Sequence, residues 1–465
     1  MENYGILSLV PVALILIIAV TTRRTLFAMT IGLCSAALIL GGFTGFLDKL
    51  FANIYAGMGN DTLQWLILVI AMFGILIALF EQSGAVVDFG KWTSKFVKTK
   101  KQTLLVTFVL GVIVFIDDYL NNLAVGTTMK GITDEHKIPR TQLAYVVNSV
   151  AAPVCILIPM SSWAVYFGGL FEADGITVGG SGMGAYIQAI PLIFYGWVAV
   201  IVVLLQIFGV IPKLGMIKKD TLRAEQTGNV FPVGAEPAII VAEETEEITE
   251  EVKEIVSPSR PHPWNFLIPL AVMIAVTLLT DIDVLTGSIA GVITAVILYL
   301  AQRKMKFKEL LTACFDGVIS MGFVLMLSVL AFSVQNANLE LGLADFVIGA
   351  VEPIMKGAFL PAVVFLVCGI YAYATGCFWD LAVIILPIVI PLAQAMGVDP
   401  ILAGAAVFSG AAFGSNTCLY GDGVILCSQA CGIKSVDLML ATLPYAGISG
   451  GISAILYLIA GFVMG

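Results

Sequence analysis

The sequence has little charge for its length. Only 12% of its 465 residues are Asp, Glu, Lys or Arg, whereas 59% are apolar. A soluble chain of this size needs a much more charged surface, so the composition excludes an ordinary soluble protein. The net charge of −9 comes mainly from one acidic loop, and no basic cluster is large enough to indicate a nucleic-acid partner.

Sequence features of an enzyme or an ATP-driven pump are also scarce. The only histidines, His136 and His262, fall in expected loops, which argues against a His-based metal or catalytic site. The sequence contains no Gly-Lys-Ser/Thr phosphate loop. The eight cysteines lie mostly inside apolar runs, as Cys34 and Cys155 do, without metal-ligand or disulfide spacing. We therefore expect no enzymatic activity and no cofactor.

Long apolar runs dominate the sequence. A run of about 18 or more apolar residues is long enough to cross the hydrocarbon core of a bilayer as a helix. The sequence therefore predicts an all-α polytopic membrane protein with about ten spans in the lipid bilayer. The expected spans are 4–20, 25–42, 62–80, 141–171, 184–211, 263–280, 284–301, 310–334, 401–431 and 438–463.

The positions of lysine and arginine orient the chain, because these residues prefer cytoplasmic loops. Arg23 and Arg24 follow the first span, which predicts an outside N-terminus and an inside first loop. The lysine-rich loop 91–101 and the basic loop 302–309 are also expected inside, whereas the acidic loop 172–183 is expected outside. These signs predict a multi-pass protein of the cell (inner) membrane.

Two further apolar stretches, 103–129 and 358–396, are interrupted by polar clusters. The inside and outside assignments of the loops are consistent only if 103–129 enters and leaves the membrane on the cytoplasmic side. Each arm of this stretch is also too short to cross the bilayer as a helix at 1.5 Å per residue. We therefore predict a re-entrant hairpin with its tip at Asp117-Asp118-Tyr119; a single long tilted helix is the alternative. The stretch 358–396 becomes a second hairpin from outside, with residues 375–380 at its tip and loop 335–357 outside.

The two halves of the chain, 1–211 and 263–465, then match in order and oppose in direction. Each half has three spans, a hairpin, an interrupted span (141–171 or 401–431) and a closing span. Inverted repeats with broken helices are a common transporter design. The polar segment between the halves is rich in glutamate and is expected to be an acidic cytoplasmic linker; it covers residues 212–262.

A local alignment supports the repeat faintly. Segment 137–154 aligns with 397–414, which places Ser149 on Ser409. Each aligned segment leads into a polar run inside an interrupted span. We expect the small-residue run 410–417, in the second of these spans, to unwind and so free its backbone N–H and C=O groups to bind a ligand. Close helix packing by small side chains is the alternative explanation of that run.

Ionisable groups at membrane depth cost about 2.5–3.5 kcal/mol each, so they usually serve an ion or a substrate. The first tip carries two adjacent carboxylates without a nearby Lys or Arg, so one of them should hold a proton, or a cation should neutralise the pair. A hard cation such as Na⁺ would suit these oxygens, and a proton would compete for the same carboxylate. A helix cap or an interfacial position is the alternative role. The residues of this cluster are Asp117, Asp118, Asn121 and Asn122.

Two other polar clusters are candidates for the same site. The second hairpin tip contributes Thr375, Trp379 and Asp380, where the Asp could equally cap the following helix. The interrupted spans contribute the remaining candidates, namely Asn148, Ser149, Ser409, Ser415, Asn416, Thr417 and Asp422. The expected Na⁺ ligands among all of these are Asp118, Asn122, Asp380 and Asn416.

The run 115–163 (FIDDYLNNLAVGTTMKGITDEHKIPRTQLAYVVNSVAAPVCILIPMSSW) resembles the signature region of the NhaC family of Na⁺/H⁺ antiporters. The run 410–422 (GAAFGSNTCLYGD) resembles the matching region of the second half of that family. The resemblance implies Na⁺ and H⁺ as coupling ions, a scaffold domain, and a mobile transport domain with both hairpins. It also implies a homodimer, an elevator-like motion, and a cation role for Asp117, Asp118, Asn121 and Asn122, together with Asp380, Asn416 and Asp422.

The sequence leaves two substrate classes open. The first is Na⁺/H⁺ antiport; the second is Na⁺- or H⁺-coupled transport of an amino acid or a small organic cation or acid, including malate/lactate-type exchange. No motif separates a bare cation from an organic substrate. The scarcity of Lys and Arg at membrane depth argues weakly against a dianion, which usually needs a cationic partner.

Overall fold

The computed structural model describes residues 4–22, 24–95, 97–232, 262–280, 283–351, 355–376, 378–419 and 421–464. These residues form α-helices joined by short turns and three short 3₁₀ turns, and no β-strand occurs among them. The α-helices are α1 (Leu9–Thr22), α2 (Thr25–Met58), α3 (Asp61–Gln82), α4 (Ala85–Ser94), α5 (Lys100–Ile113), α6 (Asp118–Glu135), α7 (Arg140–Cys155), α8 (Ser162–Ala173), α9 (Gly182–Ala189), α10 (Phe194–Phe208), α11 (Gly215–Thr227), α12 (Trp264–Leu279), α13 (Val284–Ala301), α14 (Phe307–Ser320), α15 (Gly322–Leu341), α16 (Leu343–Val351), α17 (Leu360–Thr375), α18 (Trp379–Ala395), α19 (Pro400–Thr417), α20 (Asp422–Cys431) and α21 (Ser435–Met464).

The all-α membrane class is confirmed by the length and apolarity of these helices. Six described helices can cross a membrane by length and composition, and the number rises to eight if each of two bent pairs counts as one span. Shorter apolar helices of 10–17 residues, such as Trp264–Leu279, add to them. The expected total of about ten spans stays a prediction.

The two halves repeat one order of elements. Three spanning regions and a short helix, α4 or α16, precede two antiparallel short helices; a broken helix and a closing helical region follow. The same neighbours recur in both halves: α4 packs on α6 as α16 packs on α18, and α5 packs on α7 as α17 packs on α19. This is the pattern that two structural repeats produce, and their inverted orientation in a membrane stays a prediction.

The helices fall into two packing groups. The first group contains α1–α3 and α12–α15, which contact one another through pairs such as α2 with α15 and α3 with α14. The second group contains the short antiparallel pairs and the broken helices, where α17 with α19 is the most extensive contact. Contacts between α3 and α8 and between α15 and α18 join the two groups.

The first short pair, α5 and α6, forms a hairpin. Lys100 and Lys101 at the start of α5 line the same cavity as Lys137 and Ile138, which follow α6, so the two open ends lie together. At the other end Asn121 donates from Nδ2 to the carbonyls of Gly111 (2.6 Å) and Val114 (2.9 Å). This amide fixes the turn, because it satisfies carbonyls that the end of α5 leaves without helical partners.

The second short pair, α17 and α18, also folds back on itself. A Cβ built on Gly357, before α17, would lie 2.7 Å from the carbonyl oxygen of Met396, after α18. The turn falls at Gly376–Phe378, inside the expected tip, and Gly376 has the left-handed φ of 75° that ends α17 without strain. Helices α5 and α6 extend slightly beyond the expected limits of the first hairpin, 103–129. The outer ends of α17 and α18 lie close to the expected limits of the second hairpin, 358–396.

Some expected element limits are wrong. The span 25–42 belongs to a helical segment that continues to Met58 beyond a break at Gly42, where φ is 59°. The span 310–334 consists of two helices that break at Met321, and α15 and α16 extend through much of the stretch 335–357 that was expected to be an outside loop. These helices pack on α2 and α18, so tertiary contacts favour helix where the polar residues favoured a loop.

The prediction that 410–417 unwinds is also wrong. These residues are helical to the end of α19 at Thr417, and the helix ends only after them, with Cys418 as its C-cap. Gly410 and Gly414 instead allow close packing on α17: a Cβ on Gly414 would lie 2.4 Å from the Cβ of Ala372, and one on Gly410 would lie 2.5 Å from the Cβ of Cys368. Small side chains here bring two backbones together.

The first part of the expected linker is structured. Helix α11 packs on α7 and α21. Its Asp220 is fully buried and accepts a hydrogen bond from the Thr141 hydroxyl at 2.9 Å. The expectation of a connector without packed structure is therefore wrong for residues 215–227, while the glutamate-rich stretch 236–254 lies outside the described residues.

Candidate functional site

The tip of the first hairpin buries both of its carboxylates: Asp117 is 1% exposed and Asp118 is 2% exposed. Asp117 is the N-cap of α6, and its Oδ1 accepts from the backbone N–H groups of Tyr119 (2.9 Å) and Leu120 (3.3 Å). Its Oδ2 accepts from the Ser162 hydroxyl at 2.7 Å. Asp117 thus has the capping role that the sequence left open as an alternative.

Asp118 is held by a different group. The indole Nε1 of Trp163 donates to its Oδ1 at 2.8 Å. Its Oδ2 lies toward α20, 3.3 Å from the position that a Cβ would take on Gly423. Neither Asp117 nor Asp118 forms an ion pair with a Lys or Arg among the described residues. Charge on Asp118 therefore has no cationic side chain to compensate it within the described part of the chain.

The second hairpin tip meets the first at the start of α8. The Trp163 ring stacks on Phe378 with ring centroids 3.7 Å apart and an interplanar angle of 18°. The Tyr166 hydroxyl donates to the Trp379 carbonyl at 3.2 Å. One aromatic residue, Trp163, therefore contacts both a carboxylate of the first tip and a ring of the second.

A small cavity lies between the two tips and the break in the α19–α20 pair. About 10 Å³ of it is open to the centre of a water-sized sphere, which is close to the minimum for one water molecule. Its size suits one dehydrated ion in this conformation. The lining residues are Asp118, Asn122, Asn148, Ala152, Gly376, Phe378, Ser415, Asn416, Gly421, Asp422, Gly423 and Val424.

Two of the amides that line this cavity have an unused oxygen. Asn122 Oδ1 and Asn416 Oδ1 are buried, and neither has a hydrogen-bond partner within the described protein. The Asn416 amide is oriented by its Nδ2, which donates to the Tyr195 hydroxyl at 3.1 Å, and Asn148 Nδ2 donates to the Asn416 carbonyl at 3.0 Å. A buried acceptor without a donor is costly, so both oxygens are candidate ligands for a cation at the cavity.

Asp422 stands at the edge of this cavity. Its Oδ2 accepts from the Tyr119 hydroxyl at 3.4 Å, and Trp379 Nε1 donates to that same hydroxyl, also at 3.4 Å. Asp422 is exposed, in contrast to Asp118. The pair Tyr119–Asp422 therefore connects the first tip and α20 at the mouth of the cavity.

The structure brings only part of the predicted set to the cavity. Asn121 holds the first turn, and the hydroxyls of Thr375 and Thr417 donate to carbonyls of their own helices. Ser149 is buried beside Asn148 without lining the cavity, and Ser409 is bonded to Tyr457 on α21 at 2.6 Å. Asp380 is the second residue of α18, but its side chain lies outside the described residues.

Several contributors lie outside the predicted set. Ser162, Trp163 and Tyr195 provide hydrogen bonds to its members, and the further lining residues are Ala152, Gly376, Phe378, Gly421, Gly423 and Val424. The run Ser161-Ser162-Trp163 had a visible signal, since its polar groups interrupt an apolar stretch in the same way as the counterpart run after Ser409. No sequence pattern identifies Tyr195, because its hydroxyl reaches Asn416 across 221 residues.

The donor set suits a hard monovalent cation more than a transition metal. No group of three or more His, Cys, Asp or Glu side chains that could hold a metal occurs among the described residues. Asp118, Asn122 and Asn416 supply carboxylate and amide oxygens, which hard cations prefer. A carboxylate that can hold either a cation or a proton provides the elementary step of exchange between them.

A hydrolase-like pattern in the sequence lacks the structure that it needs. Residues 447–451 match Gly-x-Ser-x-Gly, but Ser449 lies in the middle of α21. A nucleophile elbow requires a sharp turn between a strand and a helix. This serine is therefore a helix residue and not a nucleophile presented by an elbow.

Comparison with known proteins adds an independent observation. A family model described as the Na⁺/H⁺ antiporter family matches residues 154–462. An uncharacterized protein of Haemophilus influenzae is 24% identical over 493 residues, which cover 98% of this chain and 91% of that one.

Two solved transporter structures are similar in fold. MtrF of Neisseria gonorrhoeae, described as illuminating a class of antimetabolite efflux pumps, has a TM-score of 0.61 at 14% identity and covers 95% of each chain. YdaH of Alcanivorax borkumensis has a TM-score of 0.63 at 14% identity and covers 94% of this chain and 98% of that one.

Proposed function

The chain belongs to the Na⁺/H⁺ antiporter family and is a secondary transporter of the membrane, and on that premise we propose that Na⁺ and H⁺ exchange at the cavity of Asp118. The observation that carries the proposal is the meeting of one buried carboxylate with two unpartnered amide oxygens, those of Asn122 and Asn416. A cation bound there satisfies all three groups, and a proton on Asp118 removes the charge that attracts the cation.

The size of the cavity favours a bare cation over an organic substrate. About 10 Å³ is open to the centre of a water-sized sphere, whereas sites for small organic ligands have volumes of hundreds of cubic ångströms. MtrF is described as belonging to antimetabolite efflux pumps, so transport of a small organic molecule is the competing hypothesis for this chain. It would require a larger cavity in another conformation.

An elevator-like motion is part of the proposal. The hairpins and broken helices pack mainly on one another, separately from the bundle of α1–α3 and α12–α15. Such a group can move as a unit against a scaffold and expose its cavity to each side in turn. A homodimer would anchor the scaffold during that motion.

The first prediction tests Asp118 by substitution. Asp118→Asn keeps an oxygen for the Trp163 indole but removes the charge, so it should abolish Na⁺-driven pH change in proteoliposomes that contain an internal pH dye. With wild-type protein, a Na⁺ gradient directed into the proteoliposomes should raise the internal pH, and a gradient directed outward should lower it.

Asp283→Asn is the control for this prediction. Asp283 caps α13 through two backbone N–H groups, as Asp117 caps α6, but it does not line the cavity. Full exchange by Asp118→Asn would contradict the proposal. Absence of a pH response in the wild type, together with thermal stabilisation by an amino acid, would favour the organic-substrate hypothesis.

A further inference from the structure

A second cavity lies at the open end of the first hairpin, opposite its tip. It has about 350 Å³ open to water-sized spheres, far more than the cavity at Asp118. Four lysines line it, and no acidic side chain does so among the described residues; the lysines are Lys100, Lys101, Lys137 and Lys213. Sequence analysis predicts that this end of the hairpin faces the cytoplasm, because it contains the lysine-rich loop.

The charge in this cavity is only partly compensated. Lys100 pairs with Glu225 of α11 at 3.3 Å, but both side chains are about half exposed, so the pair is weak. Lys101 lies over the Phe208 ring, 5.3 Å from its centroid. Burial lowers the pKa of Lys213, and the nearby Lys100 lowers it further while Glu225 opposes the change. An anion in the cavity would relieve this repulsion.

The cavity also contains a buried polar group without a partner. Gln206 is 3% exposed, and neither its Oε1 nor its Nε2 makes a hydrogen bond of normal geometry, although the Tyr445 hydroxyl is close enough for a weak hydrogen bond from the amide. An amide has two N–H groups, so even with one of them directed at the Tyr445 hydroxyl the other can donate to a ligand oxygen. A phosphate group accepts from both lysine and amide donors.

The walls of the cavity are largely apolar, and they continue to an exposed surface. Leu104, Ile207 and Ile211 line it, and beside it Phe208 is 50% exposed and Val210 is 69% exposed at the end of α10. Lysines beside apolar surface at the end of a spanning helix are the arrangement expected at the headgroup level of a bilayer. A soluble anion would use the lysines alone and leave these apolar residues in contact with water.

We propose that this cavity binds the phosphate headgroup of an anionic phospholipid of the cytoplasmic leaflet, with an acyl chain along the apolar wall. The lipid would bridge α5, the turn after α6, and the segment after α10, so its occupancy would steady the open end of the hairpin. This site is separate from the exchange cavity and does not depend on which ion or substrate the transporter carries.

The backbone at Lys137 provides a sharp test of this proposal. Lys137 has a φ of 52°, a left-handed conformation that glycine adopts without the steric strain of a side chain. Lys137→Gly should therefore raise the melting temperature of the full-length protein while it weakens binding of phosphatidylglycerol about fivefold, as expected for one lysine near an anionic headgroup. A purely structural role for Lys137 predicts no loss of lipid affinity.

Arg303→Gly is the matched control. Arg303 is a basic residue with a φ of 53°, it is exposed on the same expected side, and it does not line the cavity. Binding would be measured by titrating phosphatidylglycerol into the purified protein under native mass spectrometry, with phosphatidylcholine and inorganic phosphate as further arms.

We expect the affinity for phosphatidylglycerol to fall in Lys137→Gly and to stay unchanged in Arg303→Gly. Phosphatidylcholine and inorganic phosphate should both bind weakly to the wild type. An equal loss of phosphatidylglycerol affinity in the two variants would indicate that the lipid is attracted by basic residues anywhere on this surface, and it would overturn the proposal. Inorganic phosphate that competes at the same concentration as the lipid would also overturn it, since the apolar wall would then contribute nothing.

Discussion

Asp117 and Asp118 are neighbours in sequence with different environments. Asp117 accepts three hydrogen bonds and closes the start of α6, whereas Asp118 accepts one from Trp163 and faces the cavity. A residue that caps a helix is fixed by local backbone groups, while one that lines a cavity can exchange partners. We therefore propose Asp118 for the exchange step, whereas Asp117 supports the tip by capping α6.

The sequence could identify this acidic pair but not the residues that separate its roles. The sequence alone shows two carboxylates and two amides inside an apolar run. Trp163 lies 45 residues from Asp118, and its stacking partner Phe378 lies in the other half of the chain. Contacts of this kind depend on how the two halves pack, which no local pattern contains.

Asp174 gives a pH-dependent prediction outside the spanning segments. It follows α8, and its Oδ1 accepts from Gln335 of α15 at 2.6 Å. Burial raises the pKa of Asp174 to about 7, although the hydrogen bond from Gln335 opposes the change. The folded protein therefore favours the protonated acid, and this contribution to stability is present below about pH 4 and is lost as the pH rises through 7.

We expect the free energy of unfolding to fall by up to about 4 kcal/mol between pH 4 and pH 8 through this group, since each unit of pKa difference between the folded and unfolded states corresponds to about 1.4 kcal/mol. Asp174→Asn should flatten the corresponding part of the melting-temperature profile in detergent. Asp61→Asn, at an exposed acid on the same expected side, is the control and should keep the wild-type slope. An unchanged slope in Asp174→Asn would rule out this residue as the source.

At the scale of elements, glycines determine how closely α19 approaches α17. Gly414→Ala would place a Cβ 2.4 Å from that of Ala372 and 2.5 Å from the Gly369 carbonyl oxygen. We expect this substitution to destabilise the protein by about 1–3 kcal/mol, because the backbones must separate. Gly447→Ala on α21 has no atom within 4 Å of its new Cβ and should be neutral or stabilising.

Thermal unfolding of the two glycine variants side by side measures this difference. If Gly414→Ala melts at the wild-type temperature, the close approach of α17 and α19 is incorrect. The same result would restore the idea that the small-residue run serves an unwound ligand site.

The sequence predicted the elements better than their limits. Both hairpin tips and both interrupted spans follow from polar groups inside apolar runs. The structure has helix ends on both sides of each one: Ile113 and Asp118, Thr375 and Trp379, Cys155 and Ser162, and Thr417 and Asp422. The breaks at Gly42 and Met321, the 47° bend at Ile193 inside the expected closing span 184–211, and helix α16 were not predicted, because packing on neighbouring helices determines them. Hydropathy reports burial in lipid or protein and does not register these tertiary contacts.

At the scale of the whole molecule, the expected topology places the loop after α8 outside and the loop after α4 inside. Thr177 and Lys95 are exposed in these two loops. Thr177→Cys should react with an impermeant thiol reagent added to intact cells, whereas Lys95→Cys should react only after the membrane is opened. The wild-type protein controls for the native cysteines, and the opposite labelling pattern would contradict the orientation.

Exchange at one site requires that Na⁺ and H⁺ compete for one carboxylate. The first and second hairpin tips meet at the cavity of Asp118, which Asn122 and Asn416 also line. In the proposed exchange, Asp118 binds either a proton or Na⁺, and the unpartnered amide oxygens of these two residues are the further Na⁺ ligands. The charge balance of the cavity should therefore stay constant when one ion replaces the other.

The most direct measurement is proton release on Na⁺ addition to the purified protein in a weakly buffered solution with a pH dye. Wild-type protein should acidify the solution as Na⁺ binds, in an amount that falls as the starting pH rises, and Asp118→Asn should release nothing. Na⁺ binding by the wild type without proton release at any pH would contradict exchange at a shared carboxylate.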